Sequence, residues 1–96
     1  MEAFEISPFV AWQTEASTHT LYLMDTRNEE MYFLEDEVSK TILKCIIEGR
    51  NLDGIYEDIV GKFHTSVDII SADVNDFLQS LLLSNLIIKQ HNRRKE

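Results

Sequence analysis

Clustered carboxylates, histidines and one cysteine are the side chains in this sequence that could do chemistry. Glu35, Asp36 and Glu37 are adjacent, so they point in different directions around a helix start. Paired acid–base catalysis instead needs two carboxylates that converge on one substrate. A solvated helix N-terminus, where negative charge is favourable, explains this run better. Asp73 and Asp76 share one face of a predicted helix, and they form either a solvated face or the rim of a groove for a partner.

The histidines and the cysteine show no spacing typical of a metal or catalytic site. No histidine lies four residues from another, and none forms a metal-ligand pattern with Cys45. Cys45 lies beside Ile46 within an apolar helical pattern, which favours a small buried residue over an activated nucleophile. The histidines are His19, His64 and His91. We therefore expect no bound metal.

The Gly61-Lys62 pair resembles part of a phosphate-binding loop, but the full pattern is absent. Gly54 lies too far upstream, and Phe63 replaces the hydroxyl residue that would meet magnesium. Neither G-x-S-x-G nor G-x-G-x-x-G occurs in the sequence. The sequence thus predicts a protein that is not an enzyme and that needs no cofactor.

Charge and composition restrict the partners. The 96-residue chain has a net charge of −8, and residues 63–88 contain no lysine or arginine. Nucleic acids and anionic membranes both bind through basic side chains, so this balance favours neither partner. It suits a basic or neutral polypeptide. Cys45 is the single cysteine, which excludes an internal disulfide, and no signal peptide or long apolar run is visible, so we expect a cytoplasmic protein.

The first third of the chain predicts a three-stranded antiparallel meander. The strands are expected at residues 9–13, 20–25 and 30–34, and Asn28 could adopt a left-handed conformation in the second turn. Residues 31–34 of the third strand contain neither charge nor proline, the features that usually protect a strand edge. A partner is therefore expected to cover this edge, as an extended peptide can do by adding a strand.

Three helices follow the meander. The first is predicted over about residues 36–48 with Gly49 as its stop, and the second over Leu52–Phe63 with Asn51 as its N-cap. The third begins at residue 68 or 71 and ends at 84, before a left-handed Asn85 and an extended run at 86–88. Its apolar stripe consists of Val74, Phe77, Leu78, Leu81 and Leu82.

This order of elements predicts an α+β fold of the winged helix-turn-helix type, a three-stranded antiparallel sheet followed by three helices. The domain is expected at residues 9–90, between a loose N-terminal arm at 1–8 and a basic C-terminal tail at 91–96. In DNA-binding folds of this type, the recognition helix usually carries cations or amides to base edges. The third helix offers Asn75 and Gln79 but no cation, and its carboxylates would weaken contact with phosphates.

Three blocks of the sequence resemble PqqD-like proteins. Met31-Tyr32-Phe33-Leu34-Glu35, with Val38-Ser39 and Ile42-Leu43, is similar to their Y-x-L-N/D…G…I-W stretch. Asn51-Leu52-Asp53-Gly54-Ile55 resembles their T-v-e-e-I helix start, and Asp73-Val74, Phe77-Leu78, Leu81 and Asn85-Leu86-Ile87 resemble their D-V-x-x-F-L-x-x-L…G-L-I ending. The resemblance covers about residues 9–90. Leu43 stands where tryptophan is common, and Ser39 and Asn85 stand where glycine is common, which concerns packing and capping.

The resemblance implies a RiPP recognition element, a non-catalytic chaperone that binds the leader of a ribosomally made precursor peptide. Such a domain delivers the peptide to a modifying enzyme, often a radical SAM enzyme. In this family the leader adds to the third strand and packs against the third helix. Carried over to this sequence, the implied peptide contacts are Met31, Tyr32, Phe33 and Leu34 on the strand and Asp73, Asp76 and Phe77 on the helix.

Two other functions remain open from the sequence. One is an acidic winged-helix regulator that acts on DNA or on another transcription protein. The other is a protein-interaction or structural module that closes its open edge on itself, so that the protein is either a monomer or a dimer. If a leader is the partner, the acidic helix face predicts a lysine or arginine near Asp73 or Asp76. The sequence does not fix which flank of the third helix faces the groove.

Overall fold

Five strands and three helices make up residues 2–90, the part of the chain that the computed structural model describes. The strands are β1 (Phe4–Ile6), β2 (Val10–Thr14), β3 (Leu21–Asp25), β4 (Glu30–Leu34) and β5 (Ile87–Lys89), and the helices are α1 (Glu37–Ile47), α2 (Leu52–Phe63) and α3 (Val67–Leu83). Strands β2, β3 and β4 form an antiparallel meander in that order. The predicted α+β fold, with a three-stranded antiparallel sheet before three helices, is confirmed at this level.

A second sheet was not predicted. β1 pairs antiparallel with β5, so that Phe4 is opposite Lys89 and Ile6 is opposite Ile87. The Ser7 amide extends this pairing by donating to the Leu86 carbonyl at 3.0 Å. The expectation of a loose N-terminal arm is therefore wrong for residues 4–6, and Phe4 is only 3% exposed. The predicted basic tail at 91–96 lies outside the described residues.

The local signals at the helix ends mostly act as expected. The side chains of Asp36 and Asn51 cap α1 and α2, each accepting a backbone amide at 2.9 Å. Gly49 follows α1 with φ +84°, and Asn85 follows α3 with φ 60°, both in the left-handed region that ends helices. Helix α3 starts earlier than predicted, at Val67. Its N-cap is Ser66, whose side chain makes no capping hydrogen bond.

The turn between β3 and β4 differs from the prediction. Glu29, and not Asn28, adopts the left-handed conformation, with φ 63°. Asn28 instead stabilises the turn through its side chain, because its Oδ1 accepts a hydrogen bond from the Glu30 amide at 3.0 Å. Asparagine often stabilises a turn in this way, and the backbone of its neighbour then makes the sharp change of direction.

One arginine joins this turn to the end of α3. Arg27 forms an ion pair with Asp25, with Nε 2.8 Å from Oδ1, and its Nη2 donates to the Asn85 carbonyl at 2.8 Å. Its guanidinium also lies 5.1 Å from the centre of the Phe9 ring. The hydrogen bonds from Arg27 lower the pKa of the Asp25 carboxyl group. These contacts hold the meander in a fixed position relative to α3.

The core lies between the inner face of the meander and the three helices. Leucines at alternate positions of β3 point inward and meet isoleucines and leucines from α1, α2 and α3. The fully buried residues are Leu21, Leu23, Ile42, Leu43, Cys45, Ile55, Ile59, Val74 and Ile87. Each large aliphatic side chain among them stabilises the fold by about 1.5–3 kcal/mol through its removal from water. This core fixes β3, so that β4 lies on the flank of the domain.

Candidate functional site

The outer edge of β4 has no strand beside it within residues 2–90. β4 pairs only with β3 in that part of the chain, through the register that places Leu34 opposite Leu21 and Glu30 opposite Asp25. The backbone N–H and C=O groups along its other side are therefore free to bind an extended chain. β2 forms the opposite edge of the same sheet and is also unpaired on its outer side among the described residues.

The side chains of β4 alternate between two faces. Tyr32 and Leu34 are half-buried and pack against the core. Met31 and Phe33 point to the outer face, where they are 45% and 58% exposed. The Phe33 ring meets the ring of Tyr22 edge to face, with a centroid distance of 5.2 Å. An added strand would therefore place its own alternate residues on one side or the other of the sheet.

A cleft of about 260 Å³ lies between the start of α1 and the middle of α3. The residues that line it are Asp36, Val38, Ser39, Ile42, Ile70, Asp73, Val74 and Phe77. Ile42 and Val74 are fully buried, so the inner part of the cleft is apolar. Asp36 and Asp73 contribute carboxylates from the two different helices. In the chain, only Glu35 and Asp36 separate β4 from α1, whose first turn forms one wall of the cleft.

The predicted site residues lie in four places. Asp73 and Phe77 line the cleft. Asp76 lies on the exposed side of α3 and is not part of the cleft wall. Met31 and Phe33 lie on the outer face of the sheet. Tyr32 and Leu34 lie on its inner face, against the core. The flank of α3 that contacts the cleft is thus the one that carries Ile70, Asp73 and Phe77.

Sequence reasoning did not identify Asp36 as a site residue. It interpreted the acidic run as a helix start, and Asp36 does cap α1 by accepting a hydrogen bond from the Ser39 amide at 2.9 Å. The same side chain also lines the cleft opposite Asp73. No local pattern indicates this second role, because it depends on how α1 packs beside α3.

The charges around the cleft leave its carboxylates without a cation. Asp73 makes no hydrogen bond or ion pair with any described residue. Hydrogen bonds from Ser39 lower the pKa of Asp36, so it is ionised at neutral pH. The charge of Lys40 contributes to this lowering, but Lys40 forms no ion pair with Asp36 or Asp73. Its Nζ lies 2.9 Å from Glu37 Oε2 and donates to the His19 carbonyl at 2.8 Å. The cleft therefore offers two acidic groups above an apolar interior.

A second concave surface occupies the outer face of the meander. It has a volume of about 160 Å³ and is lined by Ala11, Trp12, Gln13, Tyr22, Met24 and Met31. It contains no ionisable group other than the Tyr22 phenol. Across residues 2–90, no group of His, Cys, Asp and Glu side chains is arranged to hold a metal ion, and no helix is long and apolar enough to span a membrane.

Fold and site together define a small α+β domain that has an acidic cleft between α1 and α3 and, within residues 2–90, an unpaired strand edge. The family profile described as "Coenzyme PQQ synthesis protein D (PqqD)" matches residues 21–87, which is more than half of the chain. The chain therefore belongs to the PqqD family. No curated protein sequence matched the chain.

The fold is also similar to that of a solved structure, "TbiB1 in Complex with the TbiA(beta) Leader Peptide". The TM-score is 0.80 and the sequence identity is 20%, over 92% of this chain and 99% of that chain. At this identity the similarity shows a shared fold. It extends beyond the residues that the family profile matches, to nearly the whole described domain.

Proposed function

We propose that this protein is a non-catalytic recognition domain that captures the leader of a ribosomally made precursor peptide by strand addition to β4. The observation that carries the proposal is the uncharged edge at residues 31–34, which has no strand beside it within residues 2–90 and which precedes the first wall of the α1–α3 cleft in the chain. Membership of the PqqD family supports it. So does the similar fold of TbiB1, which was solved in complex with the TbiA(beta) leader peptide.

Strand addition divides the work between the backbone and the side chains of the peptide. Backbone hydrogen bonds to β4 provide affinity that does not depend on sequence. Peptide residues that face inward lie on the side of the sheet that carries Tyr32 and Leu34, where the helices are packed. Residues that face outward lie beside Met31 and Phe33, whose exposed apolar surface they cover. We expect specificity to come from the inward positions, since these lie on the side of the sheet against which the helices pack.

The bound leader is presented to an enzyme that modifies the remainder of the precursor. In the winged helix-turn-helix arrangement that we propose for α1, α2 and α3, the meander is the wing and α3 forms one wall of the peptide groove. Holding the leader raises the effective concentration of the core peptide at the enzyme, without any chemical group from this chain. A radical SAM enzyme in the cytoplasm is the modifying partner that we propose.

This function is tested with a peptide that the protein selects from a displayed library of random short sequences. The isotope-labelled protein is titrated with the selected peptide, and its backbone amide shifts are followed. We expect the largest changes at residues 30–34 and along the cleft-facing flank of α3. Changes confined to β2, or to the outer sheet face alone, would contradict strand addition at β4.

N-methylated peptides provide a sharper control for the same experiment. In an antiparallel pair, the amides of alternate residues point toward the neighbouring strand. Methylating a peptide amide that faces β4 should abolish binding, whereas methylating the next residue along should have little effect. Equal effects at both positions would show that the peptide does not bind as an added strand.

A further inference from the structure

We infer that the α1–α3 cleft selects one basic residue of the bound peptide, with its aliphatic stem on the apolar interior and its cationic head between Asp36 and Asp73. This inference rests on the proposed function, because it takes the residue that enters the cleft to be an inward-facing residue of a peptide strand added to β4. It adds the chemical class of the residue that is recognised and assigns a role to Asp36.

The lining of the cleft matches a long basic side chain in both of its parts. Val38, Ile42 and Phe77 provide apolar surface below the rim, and the carboxylates of Asp36 and Asp73 stand on different helices. Lysine and arginine bury their methylene stems on apolar surface while their charged heads stay near water and acidic partners. A purely apolar residue would fill the interior but would also cover the two carboxylates without pairing them, which costs free energy.

No cation of the described protein already serves this purpose. Lys40, one turn into α1, pairs with Glu37 and with the His19 carbonyl, and its side chain is only 8% exposed. On the other wall, α3 carries no basic residue at all. The negative charge of the cleft is therefore available to a partner, and a leader with an acidic residue at this position would be repelled.

The geometry also changes which carboxylates are expected to pair with the basic residue of the peptide. The sequence suggested Asp73 with Asp76, because residues three apart share a helix face. The structure places Asp73 in the cleft wall and leaves Asp76 outside it, while Asp36 lines the cleft from α1. The relevant pair is thus formed across two helices, and Asp76 becomes a matched control on the same helix.

Selections from the random-peptide library with three forms of the protein test the inference. We expect the wild type to enrich lysine or arginine at one fixed position of the peptide. The double variant Asp36→Asn, Asp73→Asn should lose this preference and still select extended peptides, since asparagine retains the oxygen that caps α1. The Asp76→Asn variant should select the same basic residue as the wild type. Equal enrichment of basic residues by the double variant would overturn the inference.

A double-mutant cycle measures how strongly the basic residue of the peptide interacts with the two carboxylates. Replacing the selected basic residue by norleucine, which keeps the apolar stem, should weaken binding to the wild type about tenfold, the effect of losing one charge-assisted hydrogen bond. The same replacement should have little effect on binding to the double variant. A loss of equal size in both proteins would place the basic residue elsewhere on the surface.

These outcomes separate the inference from the proposed function. If peptides bind to β4 by the amide-shift experiment but show no basic preference, only the selectivity of the cleft is wrong. If no peptide perturbs residues 30–34, strand addition itself is wrong. The variants are compared by their circular dichroism and urea unfolding, so that an unfolded protein is not mistaken for one that has lost its selectivity.

Discussion

Cys45 shows at the residue scale how the interior of this domain controls reactivity. Its side chain is 1% exposed, and its Sγ donates to the Asp58 carboxylate at 3.5 Å. Burial, with a smaller contribution from the negative charge of Asp58, raises the pKa of the thiol to about 11. The burial agrees with the apolar pattern around the residue. Because the thiolate is the reactive form, we expect this thiol to react slowly in the folded protein.

We therefore predict that an alkylating reagent modifies Cys45 in the folded protein far more slowly than in urea. The reaction is followed by mass spectrometry at mildly alkaline pH, and the urea-unfolded chain is the control. Since the pKa is raised from 9.0 in the unfolded chain to about 11, this thiol stabilises the fold below pH 9, and that contribution is lost as the pH rises toward 11. A folded protein that reacts as fast as the unfolded chain would contradict the burial of Cys45.

The site residues show what sequence can and cannot predict at this scale. Asp73 and Phe77 were predicted and line the cleft, because their place on α3 follows from helical periodicity. The sequence did not place Asp36 in this cleft, and it grouped Asp76 with Asp73, because a helical pattern indicates only a broad face of one helix. Only the packing of α1 against α3 decides which residues of that face meet another wall. The two walls come from residues 36–42 and 70–77, which are distant in the chain, and no local signal encodes their approach.

At the scale of elements, the sequence predicted what periodicity can specify. The three helices and the meander have apolar patterns of the correct period, and they appear close to their predicted positions. β1 and β5 have only three residues each, too few for a pattern to be distinguished from chance. Their pairing joins the two ends of the described chain, so it arises from the fold as a whole and not from either segment alone.

β1 should contribute strongly to stability in spite of its length. Phe4 is 3% exposed within the core, so we predict that Phe4→Ala lowers the free energy of unfolding by about 3–5 kcal/mol. Phe33→Ala is the matched control, because Phe33 is 58% exposed and loses only its edge-to-face contact with Tyr22, about 1 kcal/mol. Urea unfolding followed by circular dichroism measures both changes. A loss of stability for Phe4→Ala as small as that for Phe33→Ala would show that β1 is not part of the core.

At the scale of the whole molecule, the net charge and the order of elements indicate different classes of partner. Three short helices beside a small sheet suggest the arrangement of a DNA-binding domain. The net charge of −8 opposes this function, because binding to DNA depends on basic residues that neutralise phosphates. The exposed face of α3, where a recognition helix would contact bases, carries Asp73, Asn75 and Asp76. The charge distribution is therefore better evidence about the partner than the order of the helices.

The charge distribution predicts that the protein does not shift a labelled DNA duplex in a mobility assay, even at low salt, where electrostatic binding is strongest. Two further proteins make the result informative. A chain that ends at Gln90 lacks the basic tail and excludes it as a source of weak binding. The triple variant Asp68→Lys, Asp73→Lys, Asp76→Lys should bind with an affinity that falls steeply as salt rises, if charge alone prevents α3 from contacting DNA.

The alternative function, an acidic regulator that acts on DNA, predicts instead that the wild-type chain does shift the duplex. A salt-sensitive shift by the wild-type chain, retained when the chain ends at Gln90, would favour that function over peptide capture. If neither the wild type nor the triple variant shifts the duplex, the geometry of α3 also excludes DNA. Since the outer edge of β4 is unpaired within residues 2–90, a protein that fails to bind DNA in both forms could still bind an extended peptide by strand addition.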